Sequence, residues 1–121
     1  MTTKEFFESY KNGNRYFSDL DFDEATGFSG ISLTGITFES CYLLDVDFSN
    51  SDLSNARFIT CNLKCTDFRF SNLTNASIIN CSVESAMFEN ATTKNMTFSE
   101  NGYYGATLQQ DDLESFLKSG R

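Results

Sequence analysis

Apolar residues recur at every fifth position through most of this chain. From Phe28 to Leu108, sixteen of the seventeen positions in this series are apolar, and Thr93 is the exception. A second series, two residues earlier in each unit, contains small or aliphatic residues from Ile31 to Ala91. A period of five fits neither an α-helix, with about 3.6 residues per turn, nor a β-strand, with about two. Such fixed repetition predicts a solenoid, whose short units bury their apolar side chains by stacking.

The five-residue units also resemble a known repeat. Residues 51–55, 56–60, 71–75 and 86–90 are similar to the A-(D/N)-(L/F)-x-x unit of the pentapeptide-repeat family, and the match extends over 26–108. The resemblance implies an all-β solenoid, a right-handed quadrilateral parallel β-helix with four pentapeptides in each coil. It also implies that the central Leu or Phe and the small residue before it point inward.

The spacing of aromatic residues is consistent with a four-sided coil, in which residues twenty positions apart stack. Two predicted columns are rich in Phe: Phe28, Phe48, Phe68 and Phe88, then Phe38, Phe58, Ile78 and Phe98. The two columns between them are Leu33, Leu53, Leu73 and Thr93, then Leu43, Leu63, Val83 and Tyr103. Large rings on opposite walls would fill the narrow interior. We expect about four coils and, at about 4.8 Å per coil, a rod of roughly 20 Å.

The residues before the repeats predict an N-terminal capping helix. Thr2 and Glu5 have the spacing of a capping box, and the helix they begin would end near Gly13. Its apolar side would contain Phe6, Phe7 and Tyr10. The repeat register is lost over 15–25, where Phe17, Leu20 and Phe22 indicate irregular strands leading into the first coil.

The residues after the repeats predict a second helix over 108–118 that stops at Gly120. Its buried side would contain Leu113, Phe116 and Leu117. This helix either caps the last coil, which we favour, or mediates formation of a homodimer. The chain therefore divides into a capping helix and lead-in (1–25), a β-helix (26–108) and a C-terminal helix (109–121).

Composition and charge narrow the classes of function. The 121 residues fit one domain, and 40% hydrophobic residues with thirteen Phe and no Pro predict an ordered one. The start has acidic residues where a secretory signal needs basic ones, and no stretch is apolar enough to span a membrane, so we expect a cytoplasmic protein. A net charge of −8 disfavours direct binding to nucleic acid or anionic membranes and permits basic protein partners. Acidic charge of this size also serves solubility alone.

The four cysteines are interpreted as structural. Cys41, Cys61 and Cys81 lie twenty apart at the small inward position, so they should form a ladder of parallel side chains. A metal needs thiolates that converge, and a disulfide needs favourable Cβ directions, so the ladder is interpreted as buried apolar filler. Cys65 falls on a corner and is the only thiol expected to be accessible.

Catalytic and cofactor sites are not predicted. The sequence has no His, which removes Ser-His and Cys-His nucleophiles, and glycine-rich phosphate loops are missing. The acidic segment 19–23 has Glu24 and Gly30 where a calcium loop requires Gly and Glu. Asp47 and Asp67 share an outward column, and a solvated acidic strip is favoured over an acid-base pair.

The outward positions contain the candidate partner-binding residues. Ile59 and Ile79 should stack on one wall, and Phe70 and Met87 should lie close together on another. A third wall should contain Tyr42, Leu44 and Tyr104, and the acidic candidates are Asp47 and Asp67. Apolar residues stacked on a flat wall are a better candidate for a protein contact than scattered ones.

Three functions remain open. The first is a non-catalytic protein that binds and occludes a partner protein, for example a toxin immunity or inhibitor protein. The second comes from the resemblance, because some family members modulate type II topoisomerases by mimicking DNA. Arg57, Lys64, Arg69 and Lys94 dilute the acidic charge of the coils, which argues against mimicry. The third is a structural repeat module within an assembly.

Overall fold

Each pentapeptide forms one short extended segment and one corner, and four of them complete a coil. The computed structural model describes residues 1–22 and 27–119, and it shows a right-handed quadrilateral parallel β-helix of about four coils. A short helix lies at each end. Neither helix in the described residues is long and apolar enough to cross a membrane.

One wall of the β-helix is a five-stranded parallel sheet. The helix α1 spans Thr3–Lys11 and precedes this sheet. The strands, in spatial as well as chain order, are β1 (Tyr16–Ser18), β2 (Thr37–Glu39), β3 (Arg57–Ile59), β4 (Ser77–Ile79) and β5 (Thr97–Ser99). The chain ends with the antiparallel hairpin β6 (Asn101–Tyr103) and β7 (Ala106–Leu108), a 3-10 turn (Gln110–Asp112) and the helix α2 (Leu113–Ser119).

The four walls can be named by their inward side chains. Wall A contains β1–β5 and has Phe38, Phe58 and Ile78 inside, wall B has Leu43, Leu63 and Val83, wall C has Phe48, Phe68 and Phe88, and wall D has Leu53 and Leu73. The twenty-residue register is confirmed by pairs such as Phe38 with Phe58 in wall A and Asp47 with Asp67 in wall C. The first coil differs, because Phe17 pairs with Phe38 at a spacing of twenty-one. Residues 23–25 of the predicted lead-in lie outside the described residues.

The interior is filled by stacked side chains. In wall C the rings of Phe48 and Phe68 lie 5.5 Å apart and are almost parallel, and the Phe68 and Phe88 rings lie 5.0 Å apart. In wall A the Phe38 and Phe58 rings lie 5.6 Å apart. The leucines of walls B and D are fully buried. The predicted core is therefore confirmed, and offset or stacked rings at these distances are favourable.

The N-terminal helix closes the first coil. The Thr2 side chain accepts a hydrogen bond from the Glu5 amide (3.1 Å) and the Glu5 carboxylate accepts one from the Thr2 amide (2.7 Å), which confirms the capping box. Phe6 is fully buried, with its ring 4.5 Å from Phe17. The Tyr10 hydroxyl donates to the Thr34 carbonyl (2.9 Å). The apolar end of the solenoid is thereby covered.

The C-terminal end adds one element and corrects one boundary. The parallel register continues beyond wall A, since Ser82 pairs with Gly102 in the next coil. Residues 101–108 also pair with one another as the antiparallel hairpin β6–β7. The predicted helix over 108–118 begins later, as a 3-10 turn followed by α2 at Leu113. The physical reason is that Tyr104 and Gly105 both adopt positive φ, as a two-residue hairpin turn requires.

Side chains of the C-terminal segment hydrogen-bond and cover the backbone at the last strand of wall A. Gln110 accepts a hydrogen bond from the Phe98 amide (2.8 Å) and donates one to the Met96 carbonyl (3.0 Å). Phe116 of α2 is buried, with its ring 5.3 Å from Phe98 and 5.6 Å from Phe88. An otherwise open strand edge is thus paired and covered, so α2 acts as a cap.

Candidate interaction surfaces

The corners and the outward strand positions together form the accessible surface. At the corners, fifteen described non-glycine residues have positive φ, and six of them are Asn. Asn tolerates the left-handed region better than most residues because its short side chain bonds locally. Since the interior is full, any side chain that meets a partner must lie on a corner, a wall or a cap.

Wall A brings Ile59 and Ile79 together as predicted. They are direct partners in the parallel register of β3 and β4, with Glu39 below and Ser99 above in the same column. Both isoleucines are half-buried. Their exposed apolar area is therefore smaller than that of an aromatic side chain standing free of the wall.

Phe70 and Met87 both belong to the region of wall C, at its opposite edges. Met87 pairs with Asp67 where the coil enters this wall, and it is half-buried. Phe70 lies at the corner where the coil leaves the wall, and its amide donates to the Glu89 carbonyl (3.1 Å). The Phe70 side chain is 59% exposed. Phe70 is thus the more prominent of the two.

Tyr42, Leu44 and Tyr104, which the sequence predicts on one wall, lie at two well-separated places along the solenoid axis. Tyr42 and Leu44 are two positions apart on wall B, where Tyr42 is exposed and Leu44 is half-buried. Tyr104 lies in the β6–β7 turn, three coils from Leu44, or roughly 14 Å along the solenoid axis. Its hydroxyl hydrogen-bonds Ser85 (3.0 Å) and its amide donates to Glu84 (2.9 Å).

Asp47 and Asp67 are paired in wall C, but each carboxylate is engaged locally. Asp47 accepts a hydrogen bond from the Ser49 amide (2.8 Å). Asp67 accepts two hydrogen bonds from the Arg69 guanidinium, at 3.0 and 2.9 Å. These bonds lower the pKa of Asp67. Each carboxylate of the column therefore stabilises its own turn, and neither hydrogen-bonds the other in the described residues.

The cysteine ladder is buried and hydrogen-bonded to the backbone. The thiols of Cys61 and Cys81 donate to the carbonyls of Phe38 and Phe58, both at 3.3 Å. A hydrogen bond with Cys61 and burial raise the pKa of the Cys41 thiol. All four cysteines are unpaired, and no cluster of three potential metal ligands occurs in residues 1–22 and 27–119. Cys65 is the least buried of the four thiols.

Asn101 is a structural residue that the sequence analysis missed. It occupies the next place in the cysteine column and is fully buried. Its side chain accepts a hydrogen bond from the Cys81 amide and donates one to the Ile78 carbonyl, both at 2.9 Å. The spacing of twenty from Cys81 was the available signal, because it places Asn101 directly above the ladder.

A shallow cleft lies where the hairpin meets α2. Its volume is about 210 Å³, and it is lined by Tyr103, Leu108, Asp112, Ser115, Phe116 and Ser119. Phe116 is the same side chain that covers the last coil. The cleft therefore belongs to the contact between the hairpin and the capping helix α2.

The family model described as a pentapeptide repeat region matches residues 31–108. The chain belongs to the pentapeptide-repeat family. No curated protein matches the sequence.

Solved structures of the pentapeptide-repeat family agree with the coil geometry. One is a trypsin-treated variant of QnrB1, a plasmid-mediated fluoroquinolone resistance protein, with 27% identity and a TM-score of 0.68 over 71% of this chain and 44% of that one. Another is alr5209, a pentapeptide repeat protein from Nostoc PCC 7120, with 14% identity and a TM-score of 0.66 over 94% and 92% of the two chains. The chain thus matches less than half of QnrB1, while the likeness to alr5209 shows the fold alone.

Proposed function

We propose that this pentapeptide-repeat chain is a non-catalytic module that binds and occludes a partner protein, as a cytoplasmic immunity or inhibitor protein does. The observation that supports this proposal is the filled interior, which leaves the outer walls, the corners and the caps to meet another molecule. A rigid wall loses little conformational entropy on docking, which favours binding. Apolar residues on walls A and C supply candidate contacts.

Wall A offers one matched test of the docking surface. Replacing Ile59 or Ile79 with Lys adds a charge to the outward column that contains both isoleucines. Replacing Ser77 with Lys adds the same charge to the other outward column of wall A. If wall A docks the partner through the isoleucine column, the first two variants lose binding and the third retains more of it. All three positions face outward, so the fold should tolerate each change.

The experiment is affinity capture of a host protein by the tagged chain, followed by titration of the recovered protein against purified chain. The proposal expects one protein at fixed stoichiometry, with binding weakened by a charge on at least one wall. Capture of the chain by itself alone would overturn the proposal and favour a structural module.

A second candidate is a modulator of a type II topoisomerase, as the family resemblance implies. The observation that favours it is the similarity to part of a fluoroquinolone resistance protein. The Asp67–Arg69 ion pair at 2.9 Å interrupts the acidic strip on wall C, which makes a DNA-like surface less continuous. A supercoiling assay with added chain distinguishes this candidate, because an occluding protein for another target leaves DNA supercoiling unchanged.

A homodimer through the C-terminal helix is the remaining alternative among partners. Phe116 is already used to cover the last coil. The outer side of α2 is polar, with an ion pair between Glu114 and Lys118 (3.0 Å). Such a surface favours capping over dimerisation. A monomeric mass for the isolated chain in solution would agree with this interpretation.

A further inference from the structure

Phe70 departs from the chemistry that its corner favours. Phe70 has φ of 62°, within the left-handed region, where a bulky side chain is unfavourable. The residues one coil away at the same corner are Asn50 and Asn90, which suit this conformation. Phe70 therefore has backbone strain that an Asn at this position would largely avoid.

Among residues 1–22 and 27–119, no packing contact of the Phe70 side chain with the core offsets this strain. Its side chain is 59% exposed, and it is not among the residues that pack against the core. Tyr104, the other aromatic residue with positive φ, has local partners in Ser85 and Glu84. A residue that is both strained and exposed lowers the stability of the isolated chain, and such outliers cluster at binding sites.

We propose that Phe70 is the anchor by which this chain docks into an apolar pocket of a partner protein, and that basic groups surround this pocket. The inference rests on the proposed function, and it names the anchor residue and the chemistry of the partner. A rigid aromatic side chain inserted into a pocket is a frequent binding hot spot.

The charges around Phe70 indicate the basic rim. Wall C has three carboxylates, on Asp47, Asp67 and Glu89, and one cation, on Arg69. Arg69 is paired with Asp67 at 2.9 Å and also attracts Asp47 and Glu89, so one cation is shared among three carboxylates and the wall keeps a net negative charge. A partner with Lys or Arg around the pocket would complement this surface and be steered towards it.

The first arm of the test measures stability and binding on the same variants. Phe70→Asn should raise the melting temperature by roughly 2–4 °C, because it relieves strain, and should weaken partner binding at least about 30-fold. Thr60→Asn is the matched control, since Thr60 also has positive φ but lies at the diagonally opposite corner, between walls A and B. It should raise the melting temperature without weakening binding.

The second arm locates the contact by photo-crosslinking in host cells. A photoreactive benzoylphenylalanine at position 70 retains an aromatic anchor, and the same residue at position 60 is the control. The proposal expects one adduct from position 70 only, mapped to a partner segment that lines an apolar pocket with Lys or Arg nearby. Recovery of that adduct should fall as salt rises.

Three results would overturn the inference, and they are distinguishable. An adduct of the chain with itself would assign this corner to self-association. A partner that binds Phe70→Asn as tightly as the wild type would remove the anchor and leave the proposed function standing. No partner by capture and no adduct at either position would overturn the proposed function together with the anchor.

Discussion

Asn101 provides the most quantitative test of how the solenoid ends. Replacing Asn101 with Leu keeps a side chain of similar size but removes both of its hydrogen bonds. The Cys81 amide would then be unpaired at a site where Asn101 is 0% exposed, and the Ile78 carbonyl would lose one of its two hydrogen bonds, keeping the one from the parallel β4–β5 ladder. Water has no easy access there, so the full cost of burying each group applies.

The expected magnitude follows from those two groups. The unsatisfied Cys81 amide costs about 1–3 kcal/mol and the lost hydrogen bond to the Ile78 carbonyl about 0.5–1.5 kcal/mol, so Asn101→Leu should lower the free energy of unfolding by about 1.5–4.5 kcal/mol. The whole free energy of unfolding of a domain of this size is roughly 5–15 kcal/mol. The melting temperature should fall by roughly 5–25 °C. The variant should remain folded at low temperature but be markedly weakened.

The assay is urea unfolding followed by circular dichroism and tyrosine fluorescence, whose transitions should coincide. Asn101→Cys is the matched control because it extends the ladder. Cys81 itself accepts from the Cys61 amide (3.4 Å) and donates to the Phe58 carbonyl (3.3 Å), so a thiol can make both bonds. Asn101→Cys should lower the free energy of unfolding by at most about half as much as Asn101→Leu does. Equal losses for both variants, or a Leu variant within about 0.5 kcal/mol of wild type, would refute the reasoning.

Three further predictions concern the cap, the thiols and the ion pair. Phe116→Ala should lower the free energy of unfolding in urea by about 3–5 kcal/mol and speed amide exchange in the last coil around Phe98; unchanged exchange there would contradict the capping role. Folded protein should react with one equivalent of a thiol reagent, at Cys65, and Cys65→Ser should abolish that fast phase, whereas rapid reaction of all four thiols would show that the ladder is open. Arg69 lowers the pKa of Asp67 in the folded state. The Asp67–Arg69 pair therefore adds at most about 1 kcal/mol to the free energy of unfolding above about pH 4, and this stabilisation is lost as the pH falls through the lowered pKa. Asp67→Asn should therefore destabilise the chain in urea near neutral pH but not at pH 2–3, and an equal effect at both would contradict the assignment.

The period-five pattern was sufficient to predict the walls, because an inward side chain must match its neighbours one coil above and below. Phe38, Phe58 and Ile78 stack as their spacing required. The capping box at Thr2 and Glu5 was equally local, since both partners lie within one helical turn. Such features depend on few residues and on spacing alone.

The ends were harder to predict because they break the repeat. Tyr103 and Leu108 continue the apolar series, yet positive φ at Tyr104 and Gly105 folds them into a hairpin. As the fifth residue of its unit, Phe70 is predicted at the surface. That position alone does not show that its φ is positive or that its ring stays exposed. Tertiary context decided both.

The outer surface of this solenoid is proposed to bind another protein. Native mass spectrometry of the tagged chain, purified from its host at moderate salt, tests that proposal most directly. The predicted result is a complex of this chain with one other protein at a fixed ratio, which is lost when Phe70 is replaced with Asn. A spectrum that contains only the chain, alone or with copies of itself, would contradict the claim.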